Sequence, residues 1–386
     1  MSARTWILTD VAADRYVESS AVGPAEVDSS PPPFALNKRT LRGGLRDGVD
    51  VVELDNGRLK LTLLPTRGLG VWRAECGDVR LGWKSPTVGP VHPRYVPVDE
   101  PSGLGWLRGF DEFLVRCGLE SNGAPEWDAS GKLVHPLHGR IANLPAHYLE
   151  TRVDAARREL AVVGIVDESR FFGQQLRLKS TLRTTLGTNS FTVTDEITNL
   201  ASAPGELELL YHINQGPPLA APGSRFLAPV QTLVPKDLFA GKNIASWQTY
   251  PAAATGPETV LFFELIAGPD GGTKVLLHNP SGNQGLALSF DRRQFPLFTL
   301  WKNPLPFADG YVTGLEPCIN LPHGKSFEKS QGRVAKLQPG ETRRFDLRFD
   351  VLTTAAEVSA VAAEIAQLQA TAAPKIYDAP QPGWSP

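Results

Sequence analysis

The sequence is poor in sulfur and lacks the motifs by which proteins hold nucleotides. Its 3 cysteines, Cys76, Cys117 and Cys318, lie far apart and form no CxxC pair, which disfavours both a disulfide framework and a structural zinc site. There is no GxGxxG after a predicted strand, no Walker loop, no GxSxG elbow and no HExxH. A nucleotide cofactor and a serine hydrolase are therefore disfavoured.

An excess of either charge and any long apolar run are also missing. Lys plus Arg number 39 against 41 Asp plus Glu, so charge predicts neither nucleic acid nor an anionic membrane as partner. No stretch approaches the roughly 18 apolar residues of a membrane span. Residues 1–20 carry Asp10, Asp14 and Glu18 and lack the apolar region of a secretory signal. We therefore expect a cytoplasmic protein.

Turn-forming residues are abundant, with 36 Gly and 33 Pro scattered between short apolar runs. Asn56-Gly57 separates VVEL from LKLTLL and predicts a β-hairpin. Many short strands with period two follow, with little helical periodicity. This pattern predicts a mainly β fold, one large and mostly antiparallel sandwich over residues 34–352. Residues 1–33 are interpreted as an irregular arm.

One segment has a convincing helical period, and it comes late in the sequence. Apolar residues recur at steps of three and four within an Ala-rich run, and Thr354 with Glu357 forms a capping-box pattern. We predict a helix over residues 353–372 that packs on the sandwich, followed by a Pro-rich tail over 373–386. The arm and this helix are candidates for covering a sheet edge or meeting a second subunit, so a homodimer is one expectation.

The segment over residues 206–214 is the most informative strand. A period of two places Glu208, Leu210, His212 and Asn214 on one face and an apolar set on the other. A histidine at this position can serve as a general acid, because its pKa lies close to neutrality. The alternative is a structural histidine on a half-buried strand.

Glu316 stands at the end of an otherwise apolar strand and is followed by Pro317. A carboxylate in such surroundings is costly unless it is paired or used. Apolar surroundings also raise the pKa of a glutamate toward that of a useful base at neutral pH. A structural ion pair, with Lys302 for example, is the alternative.

The segment HPLHGR, residues 135–140, lies in a long irregular stretch between Pro90 and Pro145 that is rich in Gly, Pro, Trp and His. Long loops in a compact β domain are commonly functional. His138 and Arg140 can bind hydroxyl or anionic groups, and His135 and His138 have a spacing that a metal could use. Tryptophans, Trp301 among them, fall close to these segments, and aromatic rings beside polar groups are typical of carbohydrate sites.

Taken together, the segments resemble the aldose 1-epimerase (galactose mutarotase-like) superfamily, and most closely a less-characterised branch of it. The similarity spans roughly residues 50–350 and is carried by the order and spacing of six segments: LPTRGLGV, RGFDEFLVRCGLESNGAP, HPLHGRIANLPA, YHINQGPP, WKNP and GLEPCIN. The resemblance implies a β-supersandwich of stacked, mostly antiparallel sheets. It also implies a carbohydrate-active isomerase that acts on a small-molecule sugar without a cofactor.

By motif position, the resemblance implies that His212 is the acid that protonates the ring oxygen of the sugar. It implies that Glu316 is the base that takes the proton of the anomeric hydroxyl. The residues that it implies as substrate-binding are Arg67, His138, Arg140, Asn214, Trp301 and Asn320.

Two other functions remain open. One is a metal-assisted lyase, isomerase or hydrolase on a modified sugar, with His135, His138, His212 and Glu316 as alternative ligands of a divalent metal. The other is a carbohydrate-binding protein without turnover. Arg140 after His138-Gly139 is closer to the pattern of hexose-phosphate epimerases, so acidic and phosphorylated sugars are also among the candidate substrates.

Overall fold

The computed structural model describes residues 3–27 and 32–386, and most of this chain is β-strand. The first strands in chain order are β1 (Arg4–Asp10), β2 (Arg15–Tyr16), β3 (Ser20–Val22), β4 (Ala35–Thr40), β5 (Asp50–Asp55), β6 (Leu59–Leu64), β7 (Gly70–Cys76), β8 (Val79–Leu81), β9 (Leu114–Leu119), β10 (Glu126–Trp127), β11 (Leu133–His135), β12 (Tyr148–Asp154) and β13 (Glu159–Ser169). The remaining strands are β14 (Gln175–Thr185), β15 (Ser190–Asn199), β16 (Gly205–Gln215), β17 (Arg225–Leu227), β18 (Val230–Pro235), β19 (Thr259–Leu265), β20 (Gly272–His278), β21 (Gly285–Asp291), β22 (Leu297–Asn303), β23 (Val312–Cys318), β24 (Ala335–Leu337), β25 (Thr342–Leu352) and β26 (Lys375–Ile376).

Two large sheets account for nearly all of these strands within the described residues. The smaller has ten strands in the order β17-β20-β21-β25-β15-β14-β13-β12-β1-β2. The larger has fourteen, in the order β26-β18-β19-β22-β23-β16-β9-β7-β6-β5-β4-β3, with β24 beside β16 and β8 beside β7. Pairing within them is mostly antiparallel, and β18 with β26 is a parallel exception. This confirms the predicted stacked, mostly antiparallel sandwich.

Side chains alternate along the strands, so that one face of each sheet packs against one face of the other sheet. On β14, Leu176, Leu178 and Leu182 join the main core, while Lys179 on the opposite face is exposed. The main core draws residues from both sheets, with Leu209 of β16 as one contribution from the larger sheet. Period two therefore leaves the other face of β16, β22 and β23 free to carry a site.

The α-helices of the described chain are α1 (Leu238–Lys242), α2 (Lys325–Ser330) and α3 (Ala355–Gln369), and short 3₁₀ turns lie at Val11–Ala13, Pro24–Glu26, Gly44–Arg46, Pro93–Tyr95, Gly105–Gly109, Ile141–Asn143 and Ile244–Ser246. Helix α3 begins after Thr354 with the predicted capping box, in which Glu357 returns the hydrogen bond. Its apolar face packs on the smaller sheet through Val358, Val361 and Ile365. Among the described residues, no helix combines the length and apolar character that crossing a bilayer requires.

The predicted irregular arm at 1–33 is wrong where it contains the strands β1, β2 and β3. Strand β1 pairs with β12 in the smaller sheet, and β3 pairs with β4 in the larger one. The reason is non-local, because β1 is completed by pairing with β12, far away in the sequence, and Leu8 is buried in the main core. Residues 28–31, near the predicted end of the arm, lie outside the described residues.

The Pro-rich segment at 373–386 is attached to the larger sheet. Strand β26 pairs with β18, and Trp384 packs against side chains of the larger sheet. The division of the chain into arm, sandwich domain, helix and tail otherwise stays a prediction.

The stretch between Pro90 and Pro145, predicted without periodicity, contains β9 of the larger sheet, and its loops on either side of β9 cover the outer face of that sheet. Trp106 and Phe110 from this stretch form a second apolar cluster with Leu210 of β16 and Cys318 of β23. The long loops therefore close over the face on which His212 lies.

Candidate active site

A cavity of about 260 Å³ lies between the larger sheet and the loops that cover it. Its lining from the sheet and adjoining segments is His212, Lys236, Glu258, Val260, Phe262, Thr299, Trp301, Glu316, Pro322 and His323. The covering loops add Trp106, Leu107, Phe110, Ala124, Leu137 and His138. The predicted functional role of the irregular stretch is thus consistent with its position.

The two predicted catalytic residues meet in this cavity. Strands β16 and β23 pair so that Asn214 lies opposite Gly314, which places His212 and Glu316 on the same face. His212 Nε2 lies 3.3 Å from Glu316 Oε1. Both side chains are nearly fully buried, at 6% and 3% exposure. The structure therefore brings together the His and the Glu that the family resemblance implies as acid and base.

Gly314 makes the room that this pair occupies. A Cβ atom at Gly314 would lie 2.2 Å from Glu316 Oε1 and 2.9 Å from His212 Cε1. No side chain larger than hydrogen can be placed there without displacing both groups. The glycine in GLEPC is thus explained by the space that the pair needs.

Asn214 fixes the orientation of the His212 ring. The Asn214 amide nitrogen donates to the carbonyl oxygens of Glu112, at 3.0 Å, and of His212, at 3.2 Å. Its Oδ1 is therefore the atom that accepts from His212 Nδ1, at 2.5 Å. With Nδ1 protonated, neutral His212 presents an unprotonated Nε2 to Glu316 and to the cavity.

Burial favours the uncharged form of both members of the pair. Desolvation, with a smaller contribution from nearby His138, lowers the pKa of His212 to about 3. Desolvation, with a smaller contribution from Glu258, raises the pKa of Glu316 well above its ordinary value. Among the described residues, Glu316 Oε1 has no hydrogen-bond partner. The proton of the pair therefore lies on Glu316, and His212 Nε2 is unprotonated.

His138 lines the cavity beside this pair. It has a positive φ of 58°, and Gly139 follows with a φ of 71°, so the loop turns sharply at HPLHGR. Its Nδ1 donates to the carbonyl oxygen of Asn122 at 2.9 Å, and desolvation lowers its pKa to about 4. Neutral His138 therefore offers Nε2 as a hydrogen-bond acceptor.

Aromatic rings surround the two cavity histidines. The ring of Trp106 lies 4.6 Å from that of His138, and the rings of Phe110 and Trp301 each lie 5.3 Å from that of His212. The Trp301 indole N–H donates to Glu258 Oε2 at 2.6 Å. Aromatic faces next to hydrogen-bonding groups are suited to the apolar faces and hydroxyls of a sugar.

Arg67, predicted to bind substrate, is instead sealed inside the protein. It is 1% exposed and pairs with Glu112 at 2.6 Å. Its guanidinium also donates to the carbonyl oxygens of Val91 and Gly109 and to Asn143 Oδ1, at 2.9–3.0 Å. With its donors occupied, Arg67 lies outside the cavity lining and holds the covering loops together.

Arg140 and Asn320 also lie outside the cavity lining. Arg140 pairs with Asp99 at 2.6 Å and with Glu120 at 3.4 Å. Asn320 is fully buried, donates to Glu208 Oε1 at 2.9 Å and exchanges hydrogen bonds with the Asn122 amide. Because the Asn122 carbonyl holds His138, Asn320 supports the site from behind.

Two further expectations can be compared with the structure. Lys302, the structural partner considered for Glu316, instead donates to the carbonyl oxygens of Trp247, at 2.5 Å, and of Thr249, at 3.0 Å. Within residues 3–27 and 32–386, no group of three His, Cys, Asp or Glu side chains is arranged to hold a metal ion. His135, one of the alternative ligands, does not line the cavity.

Several cavity residues were not predicted from the sequence: Phe110, Lys236, Glu258, Phe262 and His323. For His323 a signal was present, since His323-Gly324 repeats the His-Gly pair of His138-Gly139. Glu258 and Lys236 lie at the ends of ordinary strands and carry no such signal.

Comparisons with known proteins agree with the fold. Residues 46–351 match the family described as "Domain of unknown function (DUF4432)". One similar crystal structure is that of a protein from Klebsiella pneumoniae subsp. pneumoniae MGH 78578, described as a candidate aldose 1-epimerase. Its sequence is 34% identical to this chain, the match covers 99% of each chain, and the TM-score is 0.94. No curated protein matches this chain significantly.

Two more distant crystal structures share the fold alone. A galactose mutarotase-like protein from Clostridium acetobutylicum is 14% identical over 79% of this chain and 96% of its own, with a TM-score of 0.55. A candidate aldose 1-epimerase from Escherichia coli K12 is 14% identical over 79% of this chain and 99% of its own, with a TM-score of 0.51. The predicted galactose mutarotase-like sandwich is thereby confirmed.

Proposed function

This chain belongs to the DUF4432 family and has the aldose 1-epimerase-like fold that its sequence resembles, and we propose that it is a sugar mutarotase that interconverts the anomers of an aldose. One observation carries the proposal: His212 Nε2 lies 3.3 Å from Glu316 Oε1 in a cavity of about 260 Å³. Mutarotation needs one group that accepts the proton of the anomeric hydroxyl and another that protonates the ring oxygen. A paired carboxyl and imidazole supply both.

The proposed reaction is balanced in protons and electrons. Glu316 takes the proton of the hydroxyl on C1 while His212 gives a proton to the ring oxygen. The bond between C1 and the ring oxygen breaks, and C1 becomes the aldehyde carbon. After rotation about the C1–C2 bond, both transfers reverse and the ring closes to the other anomer. Nothing is oxidised or released, so we expect no cofactor.

The protonation state derived above for His212 and Glu316 corresponds to the ring-opened stage of this reaction. With the proton on Glu316 and His212 neutral, the pair has the form that it takes when the sugar is open. Hydroxyl groups that donate to Glu316 lower its pKa and move the proton toward His212 Nε2, since a hydrogen bond to the charged form favours that form. Binding of the closed sugar thus prepares His212 as acid and Glu316 as base.

The other polar groups of the cavity suit a neutral sugar. Neutral His138 offers an acceptor for a hydroxyl, and Glu258 adds carboxylate oxygens. The cation Lys236 lies 3.5 Å from Glu258 and is balanced by it. No arginine is found among the cavity-lining residues of the described chain. These features support a neutral aldose over the acidic or phosphorylated sugars that Arg140 suggests.

Aromatic rings from both the covering loops and the sheet line the cavity and support binding of a single sugar unit. Trp106, Phe110 and Trp301 provide faces for sugar C–H groups. The cavity volume of about 260 Å³ is just below the range of roughly 300–1,000 Å³ typical of small-molecule sites. Its size therefore favours a monosaccharide over a longer chain.

A panel of sugars tests this function. Exchange between anomers would be followed by NMR for neutral aldoses, their 6-phosphates and uronic acids, with and without the protein. We expect the protein to accelerate exchange for at least one neutral aldose and to do so less for its charged counterparts. No acceleration with any sugar would contradict the proposal. Binding without exchange would favour a carbohydrate-binding protein without turnover.

Cytoplasmic location and assembly into a homodimer remain predictions, as does the absence of nucleic acid and membrane partners.

A further inference from the structure

Residues 375–386, here called the closing segment, lie along the strands that carry the cavity. Lys375 and Ile376 pair with Thr232 and Leu233 of β18. The backbone N–H of Tyr377 continues this pairing by donating to the carbonyl oxygen of Leu233 at 2.9 Å. The segment thus begins as an added edge strand of the larger sheet.

The far end of the closing segment is anchored next to the cavity. Ser385 Oγ donates to the carbonyl oxygen of Lys236, a cavity-lining residue, at 2.9 Å. Arg333 donates to the carbonyl oxygen of Gly383 at 2.6 Å and is held by two hydrogen bonds to the buried carboxylate of Glu328. Glu328 also accepts from the backbone N–H of Leu321 at 3.0 Å. The loop that carries His323 and the closing segment are therefore tied to the same buried carboxylate.

Trp384 joins the closing segment to the cavity wall directly. Its side chain belongs to an apolar cluster with Val260, Phe262 and Trp301, all of which line the cavity. Its carbonyl oxygen accepts a hydrogen bond from His323 Nε2 at 2.8 Å. One residue of the segment therefore supports the wall by packing and holds a cavity histidine through its backbone.

The hydrogen bond from His323 Nε2 to the Trp384 carbonyl oxygen determines the tautomer of His323. A carbonyl oxygen can only accept, so Nε2 carries the proton and neutral His323 leaves Nδ1 as an acceptor. Desolvation lowers its pKa, which favours the neutral ring. Within the described chain, Nδ1 of His323 has no hydrogen-bond partner and is not fully buried. The edges of Phe262 and Phe327, with ring centroids at 5.1 and 5.2 Å, restrict the ring.

We propose that the closing segment is part of the sugar site, where it orients His323 so that Nδ1 accepts a hydrogen bond from a substrate hydroxyl other than the anomeric one. This inference rests on the proposed function. His212 and Glu316 serve the anomeric centre, and His323 supplies a contact elsewhere on the ring. His323 is thus a substrate-binding residue, and Trp384 is a positioning residue that acts through it.

Monodeoxy sugars test this contact in a way that a purely structural role cannot imitate. His323→Phe removes the acceptor, and we expect kcat/KM for the parent aldose to fall about 5- to 100-fold, since a buried hydroxyl is left unpaired. For one deoxy analogue, which lacks the bonded hydroxyl, wild type and His323→Phe should have equal kcat/KM. An equal loss with every analogue would overturn the inference.

Variants of Trp384 test the role of the closing segment. Trp384→Ala should reproduce the same deoxy-sugar dependence as His323→Phe, and the double variant should be no worse than the more affected single variant. Both variants retain the backbone carbonyl, but Trp384→Phe also keeps an aromatic ring packed on the cavity wall and should stay close to wild type. Trp6→Ala, a half-buried tryptophan on β1, is the matched control. Additive losses in the double variant would overturn the positioning role.

A binding measurement separates this inference from the proposed function. His212→Asn should lower turnover by about 10²–10⁴-fold, while sugar binding, measured by tryptophan fluorescence, persists. In that background His323→Phe should weaken binding of the parent sugar but not of one of the monodeoxy analogues. If no sugar is turned over but this binding difference is found, the mutarotase proposal fails and the site of His323 stands. Unchanged binding would overturn the role of His323.

Discussion

Tyr211 and His212 are neighbours on β16, yet they enter two different kinds of buried polar cluster. Tyr211 points between the two sheets, where its hydroxyl donates to Asp195 Oδ2 at 2.6 Å. His212 points to the opposite face, where Nε2 and Glu316 Oε1 lie 3.3 Å apart without forming a hydrogen bond. One strand therefore carries a completed network on one face and an incomplete one on the other.

The network around Asp195 is complete and charged. Arg116 donates to both carboxylate oxygens of Asp195, at 2.5 and 3.0 Å, and to Ser180 Oγ at 2.7 Å. It also donates to the carbonyl oxygens of Gly68 and Leu69. All five N–H groups of its guanidinium thus have an acceptor, as a buried ion requires.

The difference suggests how to separate structural from functional polar groups in this fold. Arg116 and Asp195 are charged, saturated with partners and have nothing left to offer a ligand. Glu316 has an unpartnered oxygen beside a histidine, and both are driven to the neutral form by burial. An incompletely bonded pair in a cavity is the place where a substrate gains most by binding.

Substitutions in the pair should have the largest effect on activity. We expect His212→Asn and Glu316→Gln each to lower the anomer-exchange rate by about 10²–10⁴-fold, the usual contribution of a general acid or base. The double variant should be little worse than either single variant, because the two groups act as a unit. Glu150→Gln, a buried carboxylate on the smaller sheet, is the control. An anomer-exchange rate equal to that of wild type in both single variants would show that His212 and Glu316 are not catalytic.

Breaking the network on the other face of β16 should affect stability instead. Asp195→Asn leaves Arg116 as a buried charge without its counterion, which typically costs about 3–5 kcal/mol. Denaturant unfolding would measure the change, and the exchange rate per folded molecule should remain close to wild type. A loss of activity without a loss of stability would mean that the two faces do not divide their roles in this way.

Gly314→Ala should disturb the pair with a single methyl group. The new Cβ would lie 2.2 Å from Glu316 Oε1, so the carboxyl must move. We expect a stability loss of about 1–3 kcal/mol from overpacking. A displacement of about 1 Å can lower activity by up to about 100-fold. Gly256→Ala, with nothing within 4 Å of its added Cβ, is the control. Unchanged exchange in Gly314→Ala would show that the spacing of the pair is not critical.

The pH dependence of stability should change slightly when Glu316 is replaced. Folding raises the pKa of Glu316 above its ordinary value of 4.5, so above that pH the folded protein keeps a proton that the unfolded chain has lost. Glu316 therefore lowers stability as pH rises from 4.5 through its raised pKa. Glu316→Gln removes this penalty, so its melting temperature should exceed that of wild type at pH 8, with a smaller difference at pH 4. A larger advantage at pH 4 would have the wrong sign.

The β-strand pattern and each member of the pair could be identified because the evidence for them is local, whereas their pairing as acid and base was implied by the family resemblance. Period two in residues 206–214 placed His212 and Tyr211 on opposite faces, and Glu316 stood out as a charge in an apolar strand. The capping box at Thr354 likewise marked the start of α3. Such signals need only neighbouring residues.

The substrate-binding residues were harder to predict because their partners are distant in the sequence. Arg67 and Arg140 have the chemistry of ligand-binding residues, but Glu112 and Glu120 occupy their guanidinium groups. Asn320 is likewise occupied by Glu208. Residue type predicts what a side chain can bind, and the fold decides whether a protein group has already taken that role.

We infer that His212 Nε2 is unprotonated and that Glu316 carries the proton of the pair. The most direct test is ¹⁵N NMR of the histidine side chains in the sugar-free protein. The signals of His212 can be assigned by their loss in His212→Asn. We predict an imidazole that is protonated on Nδ1 and unprotonated on Nε2 from pH 8 down to pH 5, consistent with a pKa lowered to about 3. An imidazolium at pH 6–7 would mean that Glu316 is ionised in the sugar-free protein. That result would contradict the claim that His212 and Glu316 are both neutral.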